Sequence, residues 1–375
     1  MTEWKEYKLE EIAEILDYKR RPLSSMERSK RKGKYPYYGA SGIIDTIDDY
    51  IFEGEHVLIS EDGENLRTRQ TPIAFLADGQ FWVNNHAHIV KSDWLHNRLI
   101  CYYFANLDLN PYITGAVQPK LSQESLNRIP LLLPESTEER KRIVSILSSL
   151  DDKIDLLHRE NATLEQMAET LFRQWFVVEA KEEWEEGTIV DFAKHCKDSI
   201  NPQKHPNTVF QHYSIPAFDD GKKPTAETGE NIQSNKYLVP TNCILFSKLN
   251  PHKDKRVWLM LDDVPDNAIC STEFQIVKPS NPEYLYFLYG WLTNKENYDE
   301  IASGVGGTSG SHQRIDPKSI FSFSCPNVDI ETIRKYNNKV EPLFYKIRNN
   351  QKQIQTLIQT RDGLLPRLIS GEVKL

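Results

Sequence analysis

Two stretches of the chain repeat apolar residues at alternating intervals of three and four positions. Each stretch covers about 35 to 40 residues, which corresponds to roughly 50 to 60 Å of α-helix. A 3.5-residue period sustained over this length predicts a coiled-coil seam. The first series is Ile143, Leu147, Leu150, Ile154, Leu157, Asn161, Leu164, Ala168, Leu171 and Trp175; the second is Ile333, Tyr336, Val340, Leu343, Ile347, Asn350, Ile354, Leu357, Arg361, Leu364 and Leu368.

Each series contains one asparagine at a seam position, Asn161 or Asn350. Such an asparagine commonly fixes the register of two helices at some cost in stability. Each helix could pack on its own globular domain, or the seams could pair with each other or with partner subunits; the sustained period favours pairing. The central seam residues are then Leu147, Leu150, Ile154, Leu157, Asn161, Leu164, Val340, Leu343, Ile347, Asn350, Ile354 and Leu357.

The rest of the chain has a mixed pattern. Two longer apolar stretches, residues 99–106 and 284–293, predict helices. Short apolar or β-branched runs bounded by turn residues predict strands. These runs are residues 57–60, 71–76, 81–83, 88–91, 243–246 and 257–261. The combination predicts an α+β fold.

Several elements occur twice in the same order. Residues 4–13 match residues 184–193 at an offset of 180, and residues 57–60 match residues 244–247 at an offset of 187. A Gly-x-x-Gln motif follows in each copy, then a proline and a long helical pattern. Ordered matches at slowly growing offsets indicate a duplication. We predict a globular domain at 1–134, a long helix at 135–176, a second domain at 177–327 and a second long helix at 328–372.

The composition is that of a soluble globular protein, with 39% hydrophobic and 27% charged residues among 375. The sequence contains nothing near the roughly 18 consecutive apolar residues that a membrane helix requires. Its N-terminus lacks the apolar core of a signal peptide. The five cysteines are widely spaced and form no CxxC pair, so we expect reduced thiols and a cytoplasmic location.

The net charge of −8, taken over the whole chain, argues against nucleic-acid binding. Binding depends on the charge at the contact surface, however, so the distribution of charge along the chain matters more than its sum. Residues 19–34 hold eight basic side chains and one acid, Glu27, and an aromatic, glycine-rich segment follows. Basic side chains neutralise phosphates, and tyrosine rings offer flat contact surfaces. A solvated, mobile loop is the alternative interpretation. The candidate DNA contacts here are Lys19, Arg20, Arg21, Arg28, Lys30, Arg31, Lys32, Lys34, Tyr37 and Tyr38.

A second basic run, residues 248–256, follows the repeated strand of the second copy. The first copy has different side chains at the equivalent place, residues 61–69, as expected of domains that read different DNA sequences. Further candidate DNA contacts are Arg67, Arg69, Asn84, Asn85, Gln118 and Lys120 in the first copy, and Lys248, Asn250, His252, Lys253, Lys255, Arg256, Thr308, Ser309, Gln313 and Arg314 in the second.

Motifs for catalysis are weak. His86 and His88 have strand spacing, but the sequence places no third metal ligand beside them. Residues 304–310 are glycine-rich and lack the spacing and the lysine of a phosphate-binding loop. The Asn-Pro motifs at 110–112 and 281–284 lack the second proline of an adenine-methyltransferase motif. We therefore expect a non-catalytic chain with no metal and no cofactor.

The layout resembles the specificity subunit of type I restriction–modification systems. Three segments resemble the conserved-helix signature of that family: IPLLLP at 129–134, EERKRI at 138–143 and LDDKI at 150–154. Three others resemble one of its target-recognition-domain types: YGASGIID at 38–45, DYIF at 49–52 and ISEDG at 59–63. The second copy departs from these motifs, since its strand ends FSCP at 323–326 and its helix lacks the LDxKI run.

The resemblance implies two target-recognition domains in tandem, each followed by a long helix, with the helices paired as an antiparallel coiled coil that sets the distance between the domains. Each domain would bind one half of a split double-stranded DNA site. Two adenine-methylating modification subunits and two ATP-driven restriction subunits would be the partners and would carry the catalysis. A coiled-coil adaptor without a nucleic-acid role and a self-sufficient DNA methyltransferase are the rival interpretations. The basic-aromatic segment argues against the first, and the missing glycine-rich cofactor loop argues against the second.

Overall fold

The computed structural model describes residues 3–115, 117–253, 255–303, 305–306 and 313–373, with the backbone alone at 305–306. By its internal contacts the chain divides into two compact units. The first unit comprises Met1–Leu157 with Gln351–Leu375, and the second comprises His158–Asn350. Both units mix helices with β-sheet, as the α+β prediction requires.

The first unit contains ten described strands. They are β1 (Trp4–Tyr7), β2 (Glu14–Ile15), β3 (Lys32–Gly39), β4 (Gly42–Ile47), β5 (Phe52–Glu53), β6 (His56–Ser60), β7 (Ala74–Ala77), β8 (Gln80–Val83), β9 (Ala87–Lys91) and β10 (Leu131–Pro134). The helices that begin in this part of the chain are α1 (Leu9–Ile12), α2 (Ser25–Lys30), α3 (Asn65–Thr68), α4 (Trp94–Asn106), α5 (Gln123–Asn127) and the long α6 (Thr137–Arg173).

The remaining strands lie in the second unit. They are β11 (Glu186–Thr188), β12 (Ala193–Cys196), β13 (Ser199–Ile200), β14 (Val209–Tyr213), β15 (Thr225–Thr228), β16 (Lys236–Leu238), β17 (Cys243–Ser247), β18 (Val257–Met260), β19 (Ala268–Cys270), β20 (Phe274–Pro279), β21 (Val305–Gly306), β22 (Arg314–Ile315) and β23 (Ser324–Pro326). The helices are α7 (Ile189–Phe192), α8 (Ile215–Asp219), α9 (Leu285–Thr293), α10 (Lys295–Ser303), α11 (Pro317–Phe321) and the long α12 (Ile330–Ile369).

Two sheets have counterparts in both units. β1 pairs with β10 as β11 pairs with β23, and the sheet order β2-β9-β6-β7 corresponds to β12-β20-β17-β18. The registers correspond as well, since Ile59 faces His88 in the first unit and Phe246 faces Gln275 in the second. The matching segments of sequence therefore form matching strands. The other large sheets differ: β4-β3-β8-β5 in the first unit and β13-β16-β19-β14-β15 in the second.

The long helices contact each other inside each unit. In the first unit Ile154 and Leu157 of α6 form a buried cluster with Ile354 of α12, against which Leu357 and Ile358 pack. Arg361 of α12 donates to Asp151 of α6 at 2.8 Å. Apolar seam positions here meet other apolar positions, and the flanking charges form an ion pair.

In the second unit the contact between the helices is polar at one point. The Asn350 amide nitrogen donates to the Asn161 side-chain oxygen at 2.9 Å and to Glu160 at 3.0 Å. Asn350 is fully buried. The two asparagines that the seam pattern singled out are thus hydrogen-bonded to each other.

Most predicted elements are present, with small changes at their ends. Residues 57–60, 81–83, 88–91, 243–246 and 257–261 lie in β6, β8, β9, β17 and β18, although β18 ends at Met260; α4 begins earlier than predicted and β7 begins later. The basic segment contains regular secondary structure. Ser24 and Glu27 form a capping box at the start of α2, and β3 begins at Lys32.

The cysteines are free thiols, three of them buried and two half-buried. Burial raises the pKa of Cys101 and of Cys270 to about 12, so neither is a reactive thiolate at neutral pH. Among the described residues, no helix has both the length and the apolar character needed to cross a membrane.

Candidate nucleic-acid interface

In the first unit, the tip of the β3–β4 hairpin lies beside the ends of two other strands. The Ser60 hydroxyl at the end of β6 donates to the Ala40 carbonyl at 2.5 Å. The Asn84 amide after β8 donates to the Tyr38 carbonyl at 3.0 Å. The hairpin tip, the segment after β6 and the turn after β8 therefore form one surface.

Backbone hydrogen bonds join the segment after β6 to two further loops. Glu61 donates its amide to the His86 carbonyl at 2.9 Å and accepts from the Leu121 amide at 2.7 Å, and Gly63 donates to Pro119 at 3.0 Å. The loop at 114–121 turns at Gly115, whose φ is +85° and whose position would bring an added Cβ against the Gln118 carbonyl. The glycine of the repeated Gly-x-x-Gln motif is therefore required sterically.

A buried cluster of charged side chains lies beneath these loops. Arg20 contacts Glu61 at 2.5 Å and Asp17 at 3.3 Å, and His88 contacts Asp17 at 2.5 Å. Asp17, Glu61 and His88 offer ligand atoms within 4.8 Å of one another, a spacing that suits a metal ion. The Arg20 guanidinium pairs with both carboxylates, so we interpret the cluster as an ion-pair network.

Apart from Arg20, which is part of this cluster, the basic residues predicted from the segment 19–34 fall into two groups. Arg28 and Lys32 bind Asp45 at 3.2 and 2.5 Å, and Arg31 binds Asp48 at 2.8 Å. The Lys32 ammonium is the main cause of a lowered pKa at Asp45. The second group consists of exposed side chains: Lys19, Arg21, Lys30 and Lys34.

The structure corrects the prediction that Tyr37 contacts DNA. Tyr37 is 0% exposed, and its hydroxyl accepts from the Leu23 amide at 2.9 Å. Alternation along β3 turns Tyr37 into the core, so the aromatic run at residues 35–38 does not form one exposed surface. Tyr38 is half-buried and packs on Phe75 and Phe81.

The other residues of the first unit that were predicted to contact DNA lie in different surroundings. Asn85, Gln118 and Lys120 are exposed at the loop surface, and Lys120 reaches Glu61 at 3.4 Å. Asn84 is buried, and its side chain accepts from the His86 amide at 2.8 Å. Arg67 donates to the Gly115 carbonyl at 3.1 Å.

Arg69 lies away from these loops and contacts α4. Its guanidinium donates to the carbonyls of Phe104 and Leu107 at 2.5 Å each. These carbonyls lie at the C-terminal end of α4, where a cation is favourable. We therefore interpret Arg69 as a residue that caps a helix.

Backbone hydrogen bonds equivalent to those around Glu61 join the loops of the second unit. Lys248 donates its amide to the Glu273 carbonyl and accepts from the Ile315 amide, both at 3.0 Å. Asn250 donates its amide to Gln313 at 2.8 Å. Lys248 thus occupies the place of Glu61, with the same backbone partners and the opposite charge. His252 and Lys253 are exposed on the same loop.

Three cationic residues of the second unit that were predicted to contact DNA bind groups of the protein itself. Arg256 is buried and binds Asp219 through two hydrogen bonds of 2.7 and 2.9 Å. Arg314 pairs in the same way with Glu273 at 3.0 and 2.8 Å. Lys255 donates to the Thr293 carbonyl. Thr308 and Ser309 lie outside the described residues.

Asp17, Glu61 and Glu273 also belong to this site, although they were not among the predicted DNA contacts. The equivalence of residues 61–69 with 248–256 places Glu61 opposite Lys248, and this reversal of charge marks the position. His195 of β12 was also missed. Burial is the main cause that lowers its pKa to about 4, with Lys197 and Lys248 adding to the effect, so the ring is neutral at physiological pH.

Comparison with known proteins points to one family. The family described as type I restriction modification DNA specificity domain matches residues 1–166. A type I restriction enzyme specificity subunit of Methanocaldococcus jannaschii is 26% identical over 84% of this chain and 78% of its own. A putative specificity subunit of Haemophilus influenzae is 37% identical over 40% of this chain, and the match spans 37% of that relative's length.

A solved structure has the same fold along nearly the full chain. The S subunit of a type I restriction–modification system from M. genitalium superposes with a TM-score of 0.61 at 15% identity and covers 98% of this chain and 96% of its own. Specificity subunits are the non-catalytic DNA-recognition components of such systems. This chain is therefore similar to the specificity subunits of type I restriction–modification systems, and the family match covers residues 1–166 of its 375.

Proposed function

We propose that the chain recognises a split DNA target, one half through each unit, and directs adenine methylation and restriction by partner subunits. The observation that supports this most is the shared loop framework. Equivalent backbone hydrogen bonds assemble the loops around Glu61 and around Lys248, while the side chains on those loops differ. A constant framework with variable polar side chains suits two domains that read different base sequences.

The proposal extends to the domain organisation and to the long helices. The predicted domains, 1–134 and 177–327, would each read one half-site, and α6 and α12 would pair as an antiparallel coiled coil. Contacts that support the pairing are the Ile154–Leu157–Ile354 cluster and the hydrogen bond between Asn161 and Asn350. The partners would be two modification subunits and two restriction subunits, which would contribute methyl transfer, translocation and cleavage.

The experiment that tests this function is a domain exchange. Residues 1–134 are replaced by the corresponding segment of a related specificity subunit, and methylated sites are mapped in cells that carry the partner subunits. One half of the methylated sequence should change, and the half read by residues 177–327 should stay. A change in both halves, or methylation by the purified chain alone, would contradict the proposal.

A further inference from the structure

We propose that His88, with both ring nitrogens protonated, is a positioning residue that holds the 114–121 loop of the first unit in its DNA-reading conformation. The inference rests on the proposed function, because it assigns a role within the first reading surface. Asp17, Arg20 and Glu61 are the charged groups that keep the imidazolium in place.

The geometry around His88 defines its protonation state. His88 is 1% exposed; its Nδ1 lies 2.5 Å from an Asp17 carboxylate oxygen, and its Nε2 lies 2.8 Å from the Leu121 carbonyl oxygen. A carboxylate and a carbonyl are both hydrogen-bond acceptors, so each ring nitrogen must carry a proton and donate a hydrogen bond. A neutral imidazole has one N–H and would leave one of the two acceptors facing a lone pair.

Charged side chains from two elements face His88. Asp17 faces it from the turn after β2, and Glu61 approaches its Nδ1 at 3.8 Å from the end of β6. Two cations share these carboxylates: Arg20 reaches both, and Lys120 reaches Glu61 at 3.4 Å. Two buried carboxylates therefore face Arg20 and His88, with Lys120 at the solvent side, so the pairing offsets the cost of burying these charges.

This network fixes the segments that carry exposed polar side chains. The His88 bond to Leu121 holds the end of the loop that presents Gln118 and Lys120. Arg20 also donates to the Ala87 carbonyl at 3.0 Å, at the start of β9 and beside the turn that presents Asn85. Loss of the His88 hydrogen bond to Leu121 would release that carbonyl, whereas the backbone pairing of β9 with β6 does not involve the His88 side chain. The effect of such a loss should therefore fall on base recognition.

The second unit shows that the same sheet can form without this network. By strand register, Gln275 takes the place of His88, and by the offset of 180 Lys197 takes the place of Asp17. Gln275 is 1% exposed, and its side-chain oxygen has no hydrogen-bond partner among the described residues. Lys197 is exposed. The substitution His88→Gln therefore introduces a residue that this strand position accommodates.

The test compares the full-length wild-type chain with His88→Gln by selection from a pool of duplexes with a randomised centre. Wild type should select a split sequence. His88→Gln should lose about tenfold in discrimination in one half of that sequence. The other half should not change.

His56→Gln is the matched control, because His56 is buried at the opposite end of β6 and bonds to Gly54. It should leave the selected sequence unchanged. If His88→Gln fails to fold, Asp17→Asn replaces it with the same expectation. Selection of the wild-type sequence by either variant, with wild-type discrimination in both halves, would overturn the inference alone. If the wild-type chain selects no sequence, the proposed function fails and the inference with it.

Discussion

At the scale of single residues, charge in the basic segment is divided between structure and solvent. Arg28, Arg31 and Lys32 are held by Asp45 and Asp48. A side chain already paired with a carboxylate releases fewer counterions on DNA than a free one. The exposed cations, Lys19, Arg21, Lys30 and Lys34, are therefore the better candidates for phosphate contacts.

This division predicts the salt dependence of binding. Replacing Arg21, Lys30 and Lys34 together by Ala should weaken binding to all sequences alike and reduce the slope of log K against log salt by up to about three. The measurement is fluorescence anisotropy with a fixed duplex over a salt series. The matched variant, Arg31→Ala with Lys32→Ala, should change the slope less. Equal slopes for the first variant and wild type would show that these side chains do not contact DNA.

At the scale of elements, the long helices combine apolar contacts with one buried polar pair. Asn350 is fully buried, and its amide is shared between Asn161 and Glu160. A buried amide that finds its partner in one alignment only specifies that alignment, because a shifted register leaves it unsatisfied. The apolar clusters on α6 and α12 can tolerate more than one register.

We expect Asn350→Leu to destabilise the protein by about 1–2 kcal/mol, because Asn161 loses its partner. Asn161→Leu with Asn350→Leu should recover this loss and exceed wild-type stability, since two apolar side chains replace a buried polar pair. Urea denaturation measures the free energy of unfolding. Asn349→Leu, at an exposed neighbouring position, is the control and should have little effect. A double variant less stable than Asn350→Leu would contradict this account.

At the scale of the whole molecule, α6 and α12 each contribute residues to both units. The contacts between them place Leu157 near Ile354 in the first unit and Asn161 beside Asn350 in the second. A heptad inserted after Leu157 and another after Asn350 would preserve the apolar face and lengthen both helices by roughly 10 Å.

We expect the double heptad insertion to keep both half-site sequences and to lengthen the spacer between them by about three base pairs, less if DNA bending absorbs part of the change. Mapping of methylated sites with the partner subunits measures the spacer. Insertions of two or three residues should instead rotate the seam off its partner and lower the melting temperature. A folded heptad variant that still methylates only sites with the original spacer would refute the role of the helices in spacing.

The sequence by itself determined what depends on local periodicity and on self-comparison. The seam spacing predicted the long helices and singled out Asn161 and Asn350, because side chains 3.5 residues apart must share a helix face. The repeated segments predicted matching strands, because similar alternation gives similar burial. The matching strands β6 and β17 follow from the second of these signals.

Tertiary structure alone decided which polar side chains are free to bind. His88 meets Asp17 across 71 residues of sequence, and Arg20 meets Glu61 across 41. Tyr37 turns inward because the face of β3 that carries it packs in a buried cluster with Ile47 and Trp82. Such pairings arise when distant segments pack into one sheet. They cannot be predicted from the residue types and their spacing along the chain. A row of arginines and lysines in sequence therefore became, in space, a set of ion pairs with exposed cations around it.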